Sequence, residues 1–170
     1  MSKLKILVIF LIILQGCKKE NATISIITLE SMNTSHSEVL NAVFLDNFWN
    51  CFPSSNFSSN TEFVFQTQAS LEQFQQSTSL TASFCDSTSI PGINFDNYDL
   101  IGILTYGICR LSAERQVLAD RSTRHYIYNI IIHTDQLHTC KMLVSTMNWA
   151  LVPKMPAGYT VQFNVVKVYS

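Results

Sequence analysis

Two imidazoles and a carboxylate lie close together in His133-Thr134-Asp135-Gln136-Leu137-His138, a donor set that suits zinc or copper. The histidines stand five positions apart across an expected turn, and spacing fixes no third ligand. A solvated loop is therefore the expected reading, and no metal is assigned. His36 and His125 lie elsewhere in the chain. Nucleophilic catalysis finds less support. No Gly-x-Ser-x-Gly elbow occurs, and the serines fall in loops without a placed base. Asp96 and Asp99 read as turn residues leading into a strand rather than as an acid–base pair. The expectation is a protein without a catalytic set or a cofactor.

The most distinctive reactive group is near the start. Lys3 and Lys5 precede Ile6 to Leu14, an unbroken run of nine apolar residues. At about 1.5 Å per residue this run is far shorter than the roughly 30 Å hydrocarbon core of a bilayer. It fits the h-region of an export signal. Leu14-Gln15-Gly16-Cys17 then looks like a lipobox, in which a cysteine is acylated and the chain is cut just before it. Residues 1–16 are expected to be the signal and 17–22 the tether, with Cys17 the lipidated first residue of the mature protein. Two or more acyl chains anchor stably where one does so marginally. Lys18-Lys19-Glu20 resembles the charged starts of outer-membrane and surface lipoproteins, so the expected location is the bacterial cell envelope, at the outer membrane.

An exported chain frames the other cysteines. Cys51, Cys85, Cys109 and Cys140 match no CxxC metal or redox spacing, and an even number points to disulfides. Cys109 ends one apolar segment and Cys140 begins another, which favours Cys109–Cys140 with Cys51–Cys85 among the three possible pairings.

Two features could form a binding surface. Trp149 stands near Pro153 and Pro156, and aromatic side chains beside prolines often serve as anchors. The ordinary alternative is a large apolar side chain packed in the core. Arg110, Arg115, Arg121 and Arg124 gather around an expected hairpin, where Arg121 and Arg124 could meet acidic partners or lipid headgroups, or simply be solvated.

Composition sets the frame that must position these residues. About 150 residues remain after the signal, enough for one domain over residues 23–170. Charged residues are 14% and apolar residues 47%, which argues against disorder. The net charge of −1 and the scattered basic residues provide no face for phosphates, so nucleic acid is not an expected partner.

Residues 22–29 are rich in β-branched side chains and read as a strand. Ser35-His36-Ser37-Glu38 could open a helix over residues 38–49, but Val39 to Leu45 could equally pair as a strand. Residues 53–61 are a loop, and Phe63 and Phe65 alternate onto one face of a short strand. Ser70-Leu71-Glu72-Gln73 is a capping box for a short helix with Leu71 and Phe74 inward. Residues 77–94 read as a polar connection. Residues 100–108 form a buried strand in which Gly102 and Gly107 mark a bulge or a close backbone approach. A short strand over 116–120, a turn over 121–124 and a strand over 125–133 follow, with Tyr126, Tyr128, Ile130 and Ile132 on one face. Residues 140–151 continue an antiparallel meander, 153–158 turn, and Val161, Phe163 and Val165 line the last strand. The expected class is α+β, mainly β: an antiparallel sheet, curved or sandwich-like, with one or two short helices.

From about Glu62 onward the order of elements resembles a known group. A short strand and capped helix precede Asn94-Phe95-Asp96-Asn97-Tyr98-Asp99-Leu100-Ile101, and the chain closes through Asn148-Trp149-Ala150-Leu151-Val152-Pro153-Lys154-Met155-Pro156-Ala157-Gly158. This pattern resembles small lipoproteins of Bacteroidota type related to the C-terminal domain of protease-complex stability proteins. It departs from that group at Arg110-Leu111-Ser112-Ala113, where a glycine-rich turn is usual. The resemblance implies a noncatalytic module that binds a protein or stabilises an assembly. The competing expectation is a small envelope hydrolase whose residues come together only in the folded chain.

Overall fold

The computed structural model describes residues 28–33, 35–46, 60–77, 92–108, 111–134 and 142–169. The expected signal, most of the expected strand over 22–29, and Cys17, Cys51, Cys85, Cys109 and Cys140 lie outside these residues, as do Arg110, Asp135 and His138.

After a short 3-10 turn at Glu30–Met32, the described elements are β1 (Ser37–Val39), β2 (Val43–Leu45), β3 (Glu62–Phe65), α1 (Gln68–Ser77), β4 (Tyr98–Ile108), β5 (Leu111–Asp120), β6 (His125–Thr134), β7 (Leu143–Pro153) and β8 (Thr160–Tyr169). They form two four-stranded sheets, a central one ordered β2-β7-β4-β3 and a flanking one ordered β1-β5-β6-β8. The class is α+β, mainly β, as the patterning predicts.

Strand parity explains why the central sheet is apolar on both faces. Ile101 and Ile103 of β4, with Ala150 and Val152 of β7, join Val117, Ala119, Tyr126, Tyr128, Ile130 and Ile132 of the flanking sheet in one core. The alternate residues Leu100 and Leu104, with Met147 and Trp149, pack with Phe63, Phe65 and the helix residue Leu71 in a second core. Residues i and i+2 of a strand share a face, so the run Leu100-Ile101-Gly102-Ile103-Leu104 supplies both.

Gly102 is the hinge of that arrangement. It pairs with Phe63 on one side and Trp149 on the other. A Cβ built on Gly102 would lie 2.8 Å from Trp149 Cδ2 and closer still to Cε3 and Cζ3. The missing side chain gives the indole its place against the backbone. Phe63 and Phe65 then meet the indole with ring centroids 5.7 and 6.1 Å away. The expected close approach is thus made to an indole.

Several expectations are corrected. Of the helix and strand left open over residues 38–49, the described part takes strands: β1 pairs with β5 in the flanking sheet, and β2 pairs with β7 in the central one. Leu40 and Ala42 cross between the sheets and pack on their shared core, with the Leu40 N–H donating to the Val117 carbonyl at 2.9 Å. Helix α1 is capped by Thr67, one turn earlier than the Ser70 box. The Thr67 hydroxyl accepts the Ser70 N–H at 3.1 Å, and the Ser70 hydroxyl returns to the Thr67 carbonyl at 2.8 Å. Strand β5 begins at Leu111, because Ser112 to Arg115 complete a ladder with β6 despite their loop-like types. The C-terminal half is not a simple meander: β7 lies in the central sheet between β6 and β8, and β8 runs parallel to β6.

Asp99 is likewise no exposed turn residue. It is fully buried at the start of β4, where its carboxylate accepts from Lys154 Nζ at 2.8 Å and from the Met155 N–H at 2.9 Å. Lys154 Nζ also donates to the Gln66 carbonyl, which ties β4, the end of β3 and the β7–β8 connection together. At the same end, Asp120 Oδ1 accepts from the Ser122 hydroxyl and from the Ser122 and Thr123 N–H groups. The Ser122 hydroxyl bond above all holds the Asp120 carboxyl below its ordinary range. Gly158, at φ +81°, completes the turn closed by the Tyr159 N–H on the Pro156 carbonyl.

Gly102→Ala is expected to destabilise the protein by about 2–3 kcal/mol through overpacking against the indole. Adding Trp149→Leu should make the double variant less costly than the sum of the two single changes. Denaturant unfolding of the four proteins measures this coupling.

Candidate functional site

The inter-sheet core changes character along its length. Toward the turns at residues 121–124 and 154–159 it is lined by Ile101, Val117, Tyr126 and Val152. Toward the other end the same inward parity brings Thr105 on β4, Asn148 and Thr146 on β7, and Arg115 on β5. These residues, with Asp46, Ser112, Ala113 and Ile132, line a chamber of about 350 Å³. This is within the range of small-ligand pockets.

The floor of the chamber is a buried hydrogen-bonded cluster. Asn148 Nδ2 donates to Thr105 Oγ1 at 2.9 Å, and the Thr105 hydroxyl donates to the Thr146 carbonyl at 3.2 Å. Thr105 and Asn148 are essentially inaccessible to solvent. Polar side chains so placed cost stability unless they are paired, and this pairing keeps them in one geometry.

The wall carries the only ionisable groups that line the chamber among the described residues, Arg115 and Asp46. They form an ion pair in which the Arg115 side chain is 14% exposed and that of Asp46 is 72% exposed. The Arg115 guanidinium carbon lies 4.9 Å from the centroid of the Phe44 ring, a cation–π distance. Phe44 in turn stacks on Tyr128 with centroids 6.2 Å apart, and Phe163 lies 6.0 Å from Tyr128 on the flanking sheet. The Tyr128 hydroxyl is buried beside the Arg115 guanidinium, and among the described residues it donates to no acceptor. Burial pushes its pKa far above the ordinary phenol range, Arg115 opposes that shift, and Asp46 adds to it. The phenol therefore sits within electrostatic reach of both members of the pair.

This arrangement offers a guanidinium–carboxylate pair beside hydroxyl and amide groups, a set that can bind a ligand. The carboxylate is already engaged by the guanidinium, and no histidine or cysteine lines the chamber among the described residues. No group of three metal-ligating side chains occurs among them either.

The sequence-read candidates lie elsewhere. Trp149 is fully buried in the helix-side core, so it is no surface anchor: Gly102 offers it a seat that a binding surface would have to give up. Arg121 is exposed at the opposite end and pairs with Glu38 at 2.9 Å, a surface pair of small energetic worth. Arg124 adopts φ 59° in the same turn, and its carbonyl accepts the Thr160 N–H. His133 Nε2 lies 2.7 Å from Glu114 Oε1, and His125 Nδ1 lies 2.7 Å from Thr160 Oγ1. Each histidine is thus bound to a neighbouring strand. Residue typing alone misses Asp46, Thr105 and Asn148, although a parity signal exists. Thr105 and Asn148 interrupt apolar strands at the inward-facing positions, where alternation demands apolar residues.

No family model, curated protein or solved structure matches the chain.

Thr105→Val would remove the closest partner of the Asn148 amide and leave it the Ile103 and Thr146 carbonyls at 3.4 Å, and a loss of about 1 kcal/mol is expected. Asn148→Ala should cost a similar amount, and the double variant less than the sum. Thermal or denaturant unfolding gives both values.

Proposed function

We propose that this protein is an exported lipoprotein, held in the bacterial envelope by acylated Cys17. Its sandwich is a noncatalytic module that engages a protein partner at the chamber end. The observation that carries this reading is the pairing of polar chamber and exposed apolar side chains at one end of the central sheet. Ile108 and Leu143 are opposite each other across β4 and β7, three residue pairs beyond Thr105 and Thr146, and are 47% and 67% exposed. Met142 beside them is 63% exposed. Large apolar side chains held in water next to a polar recess suit an interface that is covered in use.

The anchor reading rests on Leu14-Gln15-Gly16-Cys17 and the short apolar run before it. No helix among the described residues is long and apolar enough to cross a membrane. The resemblance to protease-complex stability domains supports the same choice of an assembly role over a hydrolase. Disulfides Cys109–Cys140 and Cys51–Cys85 and an outer-membrane location belong to the same proposal.

Crosslinking of a tagged full-length protein in intact envelopes, followed by mass spectrometry, tests it. A reproducible protein partner is expected, whose yield falls severalfold in Leu143→Asp and in Cys17→Ala, the latter released from the membrane. Absence of a partner under several crosslinkers, or a yield indifferent to Leu143→Asp, would contradict the reading.

A further inference from the structure

Arg115 is a cation placed for an anion that can leave. Its side chain is almost wholly covered, and the Phe44 ring lies against the guanidinium. Its counter-ion, in contrast, is mostly in water, one residue beyond the end of β2. A guanidinium so largely withdrawn from water favours an anion held close. An exposed carboxylate can be exchanged at little desolvation cost, because it is already hydrated over most of its surface.

We infer that the chamber is a carboxylate receptor, in which Asp46 is an internal stand-in that a carboxylate of the protein partner displaces from Arg115. The inference rests on the binding-module reading and adds the chemistry that the partner must present.

Three observations select a carboxylate. A guanidinium presents parallel donors that match two oxygens of one planar group. The group now seated on it is a carboxylate. Arg115 is also the only cation lining the chamber among the described residues, so a monoanion balances the site while a phosphate dianion leaves charge uncompensated beside Asp46. When the partner carboxylate binds, Asp46 swings into solvent. The net charge of the occupied chamber is then the same as before.

Internal competition has a measurable signature, because the apparent affinity is reduced by the fraction of molecules in which Arg115 is free. Calorimetric titration of the acylated full-length protein in detergent micelles would use three probes: N-acetyl-alanyl-alanine, its C-terminal amide, and N-acetyl-glutamate methylamide. Saturable binding of a carboxylate probe and none of the amide is expected. Whether the first or third probe binds better identifies a chain terminus or an acidic side chain as the source. Asp46→Asn should bind about five-fold tighter or more, a gain that misfolding cannot produce. Arg115→Gln should abolish binding, and Arg115→Lys should weaken it despite its retained charge.

Equal binding of the amide, or an affinity unchanged in Asp46→Asn, would overturn the inference. So would failure of both carboxylates to bind. If an envelope crosslink then persists in Arg115→Gln, the carboxylate receptor fails while the binding module stands. Loss of the crosslink from the unmodified protein removes both.

Discussion

The indole of Trp149 against the backbone of Gly102 is the contact on which the layered structure depends. A four-stranded sheet must bury each apolar face against something, and here both faces of the central sheet are apolar. The flanking sheet covers one. On the other, helix α1 contributes Leu71 and Phe74, Ile93 and Phe95 pack beside them, and the sheet's own Trp149, Phe63 and Phe65 fill the layer between. That aromatic layer closes onto the sheet only because Gly102 has no side chain beneath it. Glycine in a strand interior is otherwise a liability, so its place here marks a requirement of packing.

With the helix-side face sealed, the inter-sheet face is free to vary along its length. At one end it is closed by Asp99, whose buried charge is met by Lys154 and the Met155 N–H, and by tight turns at Asp120 and Gly158. At the other it opens into the chamber, where threonine, asparagine and arginine replace isoleucine and valine on the same parity. The closed end is over-determined by hydrogen bonds. The open end keeps a largely covered guanidinium paired with a mostly exposed carboxylate.

Much of this frame is legible in residue types. Alternation at Phe63 and Phe65, the face formed by Tyr126, Tyr128, Ile130 and Ile132, the turn at residues 121–124 and the close approach at Gly102 all follow from period and glycine placement. The sheet switches are not legible. Leu40 to Ala42 carry the chain from one sheet to the other with no glycine or proline to announce it. The parallel pairing of β8 with β6 depends on which sheet β7 joins, a long-range choice that local pattern does not encode. The site was hidden for a related reason. Arg115 reads as one of four arginines around a hairpin, and only the ladder from Leu111 turns it inward toward Asp46, 69 residues earlier. Trp149 misleads in the opposite direction, since its conspicuous size serves the core.

The proposed binding surface lies at the chamber end of the sandwich, away from the hydrogen-bonded end. Amide hydrogen exchange of the full-length protein in membrane vesicles of the cells that make it, compared with the same protein purified in detergent, tests this directly. Slower exchange in the envelope over residues 105–108, 112–115 and 143–148 is the predicted result. Protection confined to residues 121–124 and 154–159, or no difference at either end, would contradict it.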